Sequence, residues 1–135
     1  MKPFRSIQRV YFDDLDALNI LHNVRYLLFI ERARGEMFDS LGFRWGDSTE
    51  VNPDKWHVVA AHDIHYLHPV SGEQEIAITL TCTHLGKSSV SLGAQVSNVA
   101  GDQVYATSTT RLVRLDPDTK RPCPWSERFR KAIVP

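Results

Sequence analysis

The spacing of hydrophobic side chains changes once along this chain, and the change divides it into a helical part and a sheet part. Residues 22–41 carry apolar positions three or four apart, at Tyr26, Ile30, Ala33, Met37 and Leu41. Such spacing is typical of a helix that buries one face. Over residues 56–115 apolar and polar residues alternate instead, which is typical of half-buried strands. We therefore expect one helix beside a sheet.

Four segments carry the alternating period, and turn residues separate them. The segments cover residues 56–67, 75–84, 88–97 and 104–115. The turn signals are Ser71-Gly72, Gly86-Lys87 and residues 98–102. We expect a further short strand at residues 9–12, ahead of the helix, and a short helix at residues 125–133. The predicted order of strand, helix and four antiparallel strands is an α+β plan with one helix on one sheet.

The two middle segments each have an unbroken apolar face, and the long strands imply a partner. The predicted inward residues are Ile76, Ile78, Leu80 and Cys82 in one strand and Val90, Leu92, Ala94 and Val96 in the next. Long strands leave sheet edges that must be covered or paired. We therefore expect a homodimer, with two sheets joined or packed around the two helices, or a dimer of such dimers.

Length, charge and cysteine usage limit the classes of protein that fit. The 135 residues are expected to form one domain, residues 1–135, whose hydrophobic core is large enough to be stable without disulfide bonds or a structural metal. Sixteen Lys and Arg balance sixteen Asp and Glu, so no basic surface for nucleic acid or an anionic membrane is expected. Two cysteines make no disulfide framework, and the chain shows neither a signal peptide nor a run of 18 apolar residues. These features predict a cytoplasmic protein.

Histidines cluster in the first alternating segment and raise the question of a metal site. With a period of two, His62 and His68 share one face of the strand and His65 points to the other. His62 and His68 are also about 20 Å apart along an extended chain. Three ligands from this strand cannot converge on a tetrahedral ion, so no metal is expected.

Aspartates lie in the turn between the first predicted strand and the helix. Asp14 and Asp16 are followed by Asn19. Alone, an Asp-x-Asp after a strand is usual turn chemistry. A calcium loop does not fit, because Leu18 and Asn19 stand where an oxygen ligand and a glycine belong. The helix that follows offers free backbone N–H groups at its N-terminus and a macrodipole that favours negative charge there. We therefore expect a catalytic site at this junction between strand and helix.

The block from Asp14 to Tyr26 resembles the signature of the hotdog-fold acyl-CoA thioesterases, the 4-hydroxybenzoyl-CoA thioesterase-like family. The matching positions are Asp14, Asp16, Ala17, Leu18, Asn23 and Tyr26. The block departs from the family at Asn19, where glycine is usual, and at Ile20 and His22. Weaker landmarks lie at residues 64–69, 85–89 and 115–124. The resemblance implies a hotdog fold, in which a long central helix packs on a five-stranded antiparallel sheet.

The same resemblance implies roles for two residues of the block. Asp16 matches the catalytic carboxylate of the family, which either attacks the thioester carbonyl or activates a water as general base. The backbone N–H of Asn23 matches the donor that polarises the thioester oxygen, a task that suits a helix N-terminus. The side chains of His22 and Asn23 either cap the helix or reach the substrate. Tyr26 is predicted to point inward, although it stands at a substrate-side position of the family.

Substrate contacts are expected outside the block as well. Lys87, Ser88 and Ser89 occupy a turn at which the family contacts coenzyme A, and a solvated turn is the alternative. The acyl wall is expected to include Trp45, Val51 and Trp56. No nucleotide-type glycine loop and no Gly-x-Ser-x-Gly elbow is present, and no cofactor is implied.

The resemblance favours a hydrolase of acyl-CoA thioesters over its rivals. A hotdog dehydratase or hydratase normally needs a histidine with an acidic partner at the site, and Asp16 stands in the thioesterase position. A non-catalytic module that binds acyl groups or CoA remains an alternative. So does a thioesterase that acts on acyl groups linked to a carrier protein, which present the same thioester.

Overall fold

One five-stranded antiparallel sheet and one principal helix make up the fold in the computed structural model, which describes residues 1–135. Two single 3₁₀ turns, Phe12–Asp14 and Pro53–Lys55, lie in the connections. The regular elements in chain order are β1 (Phe4–Val10), α1 (Arg25–Ser40), β2 (His57–Tyr66), β3 (Gln74–Leu85), β4 (Ser89–Asn98), β5 (Val104–Arg114) and α2 (Glu127–Ile133). The strand order across the sheet is β1-β3-β4-β5-β2. The predicted α+β plan is confirmed.

The two middle strands supply most of the core. Every residue predicted to point inward from β3 and β4 is buried, from Ile76 to Cys82 and from Val90 to Val96. The opposing face is the buried stripe of α1: Tyr26, Phe29, Ile30, Ala33, Met37 and Phe38. Burying such side chains removes apolar surface from water, which is the main force that holds the helix on the sheet.

Helix α1 begins three residues later than predicted. The amide of His22 donates to the carbonyl of Asp14 at 2.9 Å, so this residue still belongs to the preceding turn. Sixteen residues are helical, where residues 22–41 were predicted, so the central helix is shorter than expected. Gly42 follows with φ +86°, the left-handed conformation expected of a residue that ends a helix. The helix end was predicted more closely than its start because glycine marks it.

Strand β1 was predicted at the wrong place. It spans residues 4–10, whereas residues 9–12 were predicted. The inward-facing positions of β1 include Ser6 and Gln8, so the strand has no apolar alternation to detect. The Gln8 side chain instead donates to the carbonyl of Phe29 on α1 at 2.8 Å. Past Val10 the chain turns, because the Asp14 carboxylate accepts from the amide of Tyr11 at 2.9 Å.

Strand β2 is an open edge of the sheet. It pairs with β5 on one side only, and most of its residues are exposed, including Val58 and Val59. Its period of two was predicted, but neither face of β2 is buried in the way that the inner faces of β3 and β4 are.

No helix of the structure combines the length and the apolar character that crossing a bilayer requires.

Candidate functional site

The two ends of the molecule offer different surfaces, and we name them by position. The helix-tip end consists of residues 14–23 and the turn at residues 69–72, which two main-chain bonds join: Leu21 N–H to Val70 O at 2.8 Å and Gly72 N–H to Asn19 O at 2.9 Å. The cavity end consists of residues 43–57, residues 85–89 and α2. The 12 residues of β3 separate the ends by a contour of about 36 Å.

Residues 14–23 fold as a small hairpin that brings the predicted catalytic pair to one end of the chain. Leu15 and Leu21 form a β-bridge, and the amide of Asp16 donates to the carbonyl of Ile20 at 2.8 Å. The turn between them has Asn19 in the left-handed region at φ +61°, the conformation for which glycine is usual. Asparagine tolerates that conformation, so the departure from the family pattern at this position leaves the turn intact.

Asp16 is half-buried and only one of its oxygens is engaged. Oδ1 accepts from the amide of Leu18 at 2.8 Å and from that of Ile20 at 3.4 Å. These local bonds fix the orientation of the carboxylate, as in an Asx turn. Oδ2 makes no hydrogen bond within the chain, so one oxygen is free to meet a substrate or a water.

The helix tip presents an unused backbone donor at Asn23. Its neighbours are bonded, since His22 N–H donates to Asp14 and Arg25 N–H donates to the carbonyl of His22 at 2.9 Å. The N–H of Asn23 has no acceptor within the chain. Its carbonyl accepts from the Tyr66 hydroxyl at 3.0 Å, a contact that ties the helix tip to the edge strand β2. Sequence reasoning missed Tyr66, which is an exposed aromatic residue of an edge strand.

The other two helix-start candidates have structural contacts. The ring Nδ1 of His22 accepts from the amide of Val24 at 3.4 Å, which is local capping, and the ring is exposed. Tyr26 is 3% exposed and lies edge-on to Tyr66 with ring centroids 5.0 Å apart. Burial raises the pKa of the Tyr26 phenol, which therefore stays protonated. A groove of about 260 Å³ runs past Asn23, Tyr26, Tyr66 and Leu67.

A larger cavity of about 460 Å³ lies at the cavity end, between α1, the 43–57 segment and α2. Its apolar walls are Phe38, Phe43, Trp45, Val59 and Phe129. Trp45 was predicted as an acyl wall, and it lines this cavity. Val51 and Trp56 do not line it: the Trp56 indole turns away and donates to the Thr49 hydroxyl at 2.9 Å.

His57 sits in the wall of this cavity as a neutral side chain. Its Nδ1 donates to the carbonyl of Asp54 at 2.7 Å, and its ring lies 5.5 Å from that of Phe38. Burial lowers the pKa of His57, because the surrounding aromatic rings do not solvate an imidazolium. Asp54 itself is buried and accepts from the amide and hydroxyl of Ser126, so it anchors α2 to the 43–57 segment.

The predicted CoA contacts lie at the cavity end, away from Asp16. The turn that carries Lys87, Ser88 and Ser89 is held by α2, since the Arg130 side chain donates to Gly86 O at 2.8 Å and the Trp125 amide donates to Lys87 O at 3.1 Å. Lys87 is exposed and both serines are half-buried. Within one chain, therefore, Asp16 and Asn23 belong to the same hairpin, and this turn lies at the other end.

One helix lies on five antiparallel strands, and the helix tip carries an available carboxylate oxygen and a free amide. The chain belongs to the thioesterase-like superfamily, whose family model matches residues 10–133. The predicted family is thus confirmed, and so, at the level of the family, is the prediction of a thioester hydrolase.

Solved structures agree with this assignment. A thioesterase from Thermus thermophilus, crystallised with coenzyme A and Zn, is 27% identical, with a TM-score of 0.80 and 97% of each chain covered. A 1,4-dihydroxy-2-naphthoyl-CoA thioesterase from Synechocystis is 16% identical, with a TM-score of 0.83 over 97% of this chain and 95% of that one. A 4-hydroxybenzoyl-CoA thioesterase variant, bound to 4-hydroxybenzoyl-CoA, is 15% identical with a TM-score of 0.86 over 99% and 100%. These matches confirm the hotdog fold. None of the curated proteins compared with the chain matches it.

Proposed function

We propose that this protein hydrolyses the thioester bond of an acyl-CoA to the free acid and CoA, with Asp16 as catalytic carboxylate and Asn23 as oxyanion donor. The observation that carries the proposal is that one hairpin holds both the free N–H of Asn23 and a carboxylate, that of Asp16, with one unengaged oxygen. The family supports the thioester as the bond cleaved. The relatives crystallised with coenzyme A or an acyl-CoA support CoA as the carrier of the acyl group.

The chemistry follows from what each group can do. As the carbonyl carbon is attacked, negative charge develops on its oxygen, and a fixed N–H at the helix tip stabilises that charge without reorganising. Asp16 either attacks the carbon itself, giving a mixed anhydride that water then cleaves, or accepts a proton from the attacking water. In both routes the C–S bond breaks, the thiolate of CoA leaves, and water supplies the new oxygen of the acid.

We also propose that two copies pair through the open edges of β2. An antiparallel β2–β2 ladder would satisfy the unpaired backbone groups of both edges. It would also set the His57 end of one strand against the Tyr66 end of the other. The cavity end of one copy, with Lys87, Ser88 and Ser89, would then adjoin the helix tip of its partner.

Distances along the chain favour this shared site over one within a single copy. Arg34 and Phe38 follow Asn23 by 11 and 15 residues, or about 16–22 Å along α1. A short acyl group bound at Asn23 does not reach its own cavity, whereas the proposed pairing brings the cavity of the second copy to it. Assembly of two dimers and a location in the cytoplasm stay predictions.

The test is release of free thiol from a panel of aliphatic and aromatic acyl-CoAs. We expect hydrolysis by the wild-type protein. In Asp16→Asn, kcat should fall by about 10²–10⁴, because the amide can neither attack the thioester carbon nor accept a proton from water. Asp13→Asn is the matched control, because Asp13 is an exposed carboxylate three residues away without a hydrogen bond. Near-wild-type turnover by Asp16→Asn would contradict the assignment of Asp16 as the catalytic carboxylate.

Two alternatives give different results in the same panel. A non-catalytic module would bind CoA without releasing thiol above background. A carrier-protein thioesterase would leave acyl-CoAs nearly untouched and cleave the same acyl groups on a phosphopantetheine carrier.

A further inference from the structure

Helix α1 begins without the side chains that usually hold a helix start. Val24 stands at the N-cap position, and its side chain cannot accept from the first amides. The long contact from the Val24 amide to His22 Nδ1, at 3.4 Å, is the one side-chain bond there. The first turn has no acidic residue, and it opens with Arg25, whose positive charge opposes the macrodipole. The helix start is therefore held from outside the helix.

Asp14 is the residue that contacts the helix start from outside. It is 6% exposed, which is rare for an aspartate, and each of its oxygens has a partner. Oδ2 accepts from the amide of Tyr11 at 2.9 Å, and Oδ1 lies 3.8 Å from Nε of Arg25. The carbonyl of Asp14 also accepts from the amide of His22 at 2.9 Å. One residue thus joins the end of β1, the hairpin and the helix.

The contacts of Asp14 lie on both sides of the Asn23 amide in the sequence. His22 directly precedes Asn23, and Arg25 follows it by two residues, so both neighbours of the proposed oxyanion donor are tied to Asp14. On the opposite side, the Tyr66 hydroxyl holds the carbonyl of Asn23. Fixing the neighbours gives the Asn23 N–H a direction without occupying it, whereas a cap on that amide would exclude a substrate oxygen.

The two unusual charges account for each other. A buried carboxylate is costly without a partner, and a cation at a helix N-terminus is disfavoured unless an anion lies near it. Arg25 and Asp14 supply each other with that partner. The Arg25 side chain is 39% exposed, so it can be replaced without opening the core.

We propose that Asp14 is a positioning residue for the reaction, with Arg25 as its counter-charge, and that the pair sets the direction in which the Asn23 amide meets the thioester oxygen. The proposal rests on the proposed thioesterase function and deepens it. Both oxygens of Asp14 face partners within the chain, so Asp14 acts through the helix tip and not on the substrate. A misdirected donor stabilises the transition state less and changes ground-state binding little, so loss of Asp14 lowers kcat and spares KM.

The test measures kcat and KM for Asp14→Asn and Arg25→Gln with the acyl-CoA that the wild-type protein hydrolyses fastest. Asp14→Asn keeps an oxygen for the Tyr11 amide but loses the charge. We expect kcat to fall about 10- to 100-fold in Asp14→Asn and about three- to tenfold in Arg25→Gln, with KM within about twofold of wild type. Because the two residues act as a unit, the double variant should be no slower than Asp14→Asn.

Controls separate positioning from damage to the fold. Asp13→Asn and Arg32→Gln change exposed charges of the same two segments and should keep the wild-type kcat. Arg25→Lys retains the positive charge and should retain more of the kcat than Arg25→Gln does. Should Asp14→Asn not fold, the comparison of these two Arg25 variants decides. Unchanged kcat in the single variants, multiplicative losses in the double variant, or a rise in KM alone overturns the proposal.

A measurement on the amide itself keeps the outcome independent of catalysis. NMR relaxation of ¹⁵N-labelled protein gives the order parameter of the Asn23 N–H. We expect about 0.85 in the wild-type protein and below about 0.6 in Asp14→Asn, with the inner strands unchanged. Should no acyl-CoA be hydrolysed, the proposed function fails while this experiment still decides whether Asp14 orders the helix tip. Equal order parameters in the two proteins contradict the inference.

Discussion

The helix-tip end and the cavity end differ in how the chain builds them. At the helix tip, the catalytic candidates come from ten consecutive residues, 14–23, and backbone hydrogen bonds position them. At the cavity end the walls come from α1, the 43–57 segment, β2 and α2, and packed aromatic rings position them. One end is thus a local structure that exposes polar atoms, and the other is a tertiary structure that encloses an apolar space.

This difference suggests that the helix-tip end serves the reaction and the cavity end serves recognition of the acyl group. A short hairpin that fixes one carboxylate and one amide suits chemistry common to all thioesters, because in the proposed mechanism those groups would contact only the reacting atoms. A cavity assembled from four segments can change its shape and polarity through residues far from the reaction. We therefore expect the two ends to respond differently to substitution.

The largest expected effect is a contrast between Asp16→Asn and Gly35→Trp. Asp16→Asn should lower kcat by about 10²–10⁴ for every acyl-CoA that is hydrolysed. Gly35 lines the cavity on α1, and nothing lies within 4 Å of a Cβ placed there, so a large side chain can enter the space. Gly35→Trp should abolish turnover of bulky acyl groups and largely spare acetyl-CoA. If Gly35→Trp lowered turnover equally for acyl groups of all lengths, the proposed difference between the two ends would be contradicted.

The next effect concerns stability. Phe129 is 1% exposed and stacks on Trp125 with ring centroids 4.2 Å apart. Phe129→Ala should lower the free energy of unfolding by about 3–5 kcal/mol, as for other buried aromatic residues. Phe12→Ala, at a side chain that is 80% exposed beside the helix tip, should change it by less than about 0.5 kcal/mol. Urea denaturation measures both, and comparable losses would show that the helix-tip end is packed as the cavity end is.

A smaller effect is expected at the contact that ties the helix tip to β2. Tyr66→Phe removes the hydroxyl that donates to Asn23 O. Since one such bond contributes about 1 kcal/mol, kcat should fall about fivefold with KM nearly constant. Tyr11→Phe is the control, because that exposed hydroxyl has no partner in the chain. A Tyr66 variant that changes only KM would indicate a substrate contact in place of a positioning role.

The smallest effect is a pH dependence of stability from His57. Its folded pKa is lowered by burial, so between that value and the unfolded value of 6.5 the unfolded chain binds more protons. The stability contribution of neutral His57 is fully present above pH 6.5 and is lost as the pH falls toward the folded pKa. His57→Gln should flatten this part of the stability–pH curve, measured by urea denaturation at several pH values. An unchanged slope in His57→Gln would contradict the assignment.

Sequence patterns predicted the parts of the molecule where one rule governs the structure. The inner faces of β3 and β4 and the end of α1 at Gly42 were predicted because periodicity and a left-handed glycine determine them. The start of β1 was not, because its inward residues Ser6 and Gln8 are polar. Neither was the large cavity, since its lining residues, such as Arg34 and Asn52, are far apart in the sequence and line one space only in the folded chain. The candidate residues of the hairpin at residues 14–23 could be singled out because they are contiguous, and their catalytic roles stay a prediction.

The central claim is that one thioester is served by the helix tip of one copy and the cavity end of another, and mixing two inactive variants tests it most directly. Asp16→Asn lacks the carboxylate, and Gly35→Trp has a filled cavity. After the two are unfolded together and refolded, a heterodimer would hold one intact site. The account predicts that turnover of a bulky acyl-CoA returns to about a quarter of the wild-type value under random pairing. Turnover no greater than the sum of the two parents would contradict it.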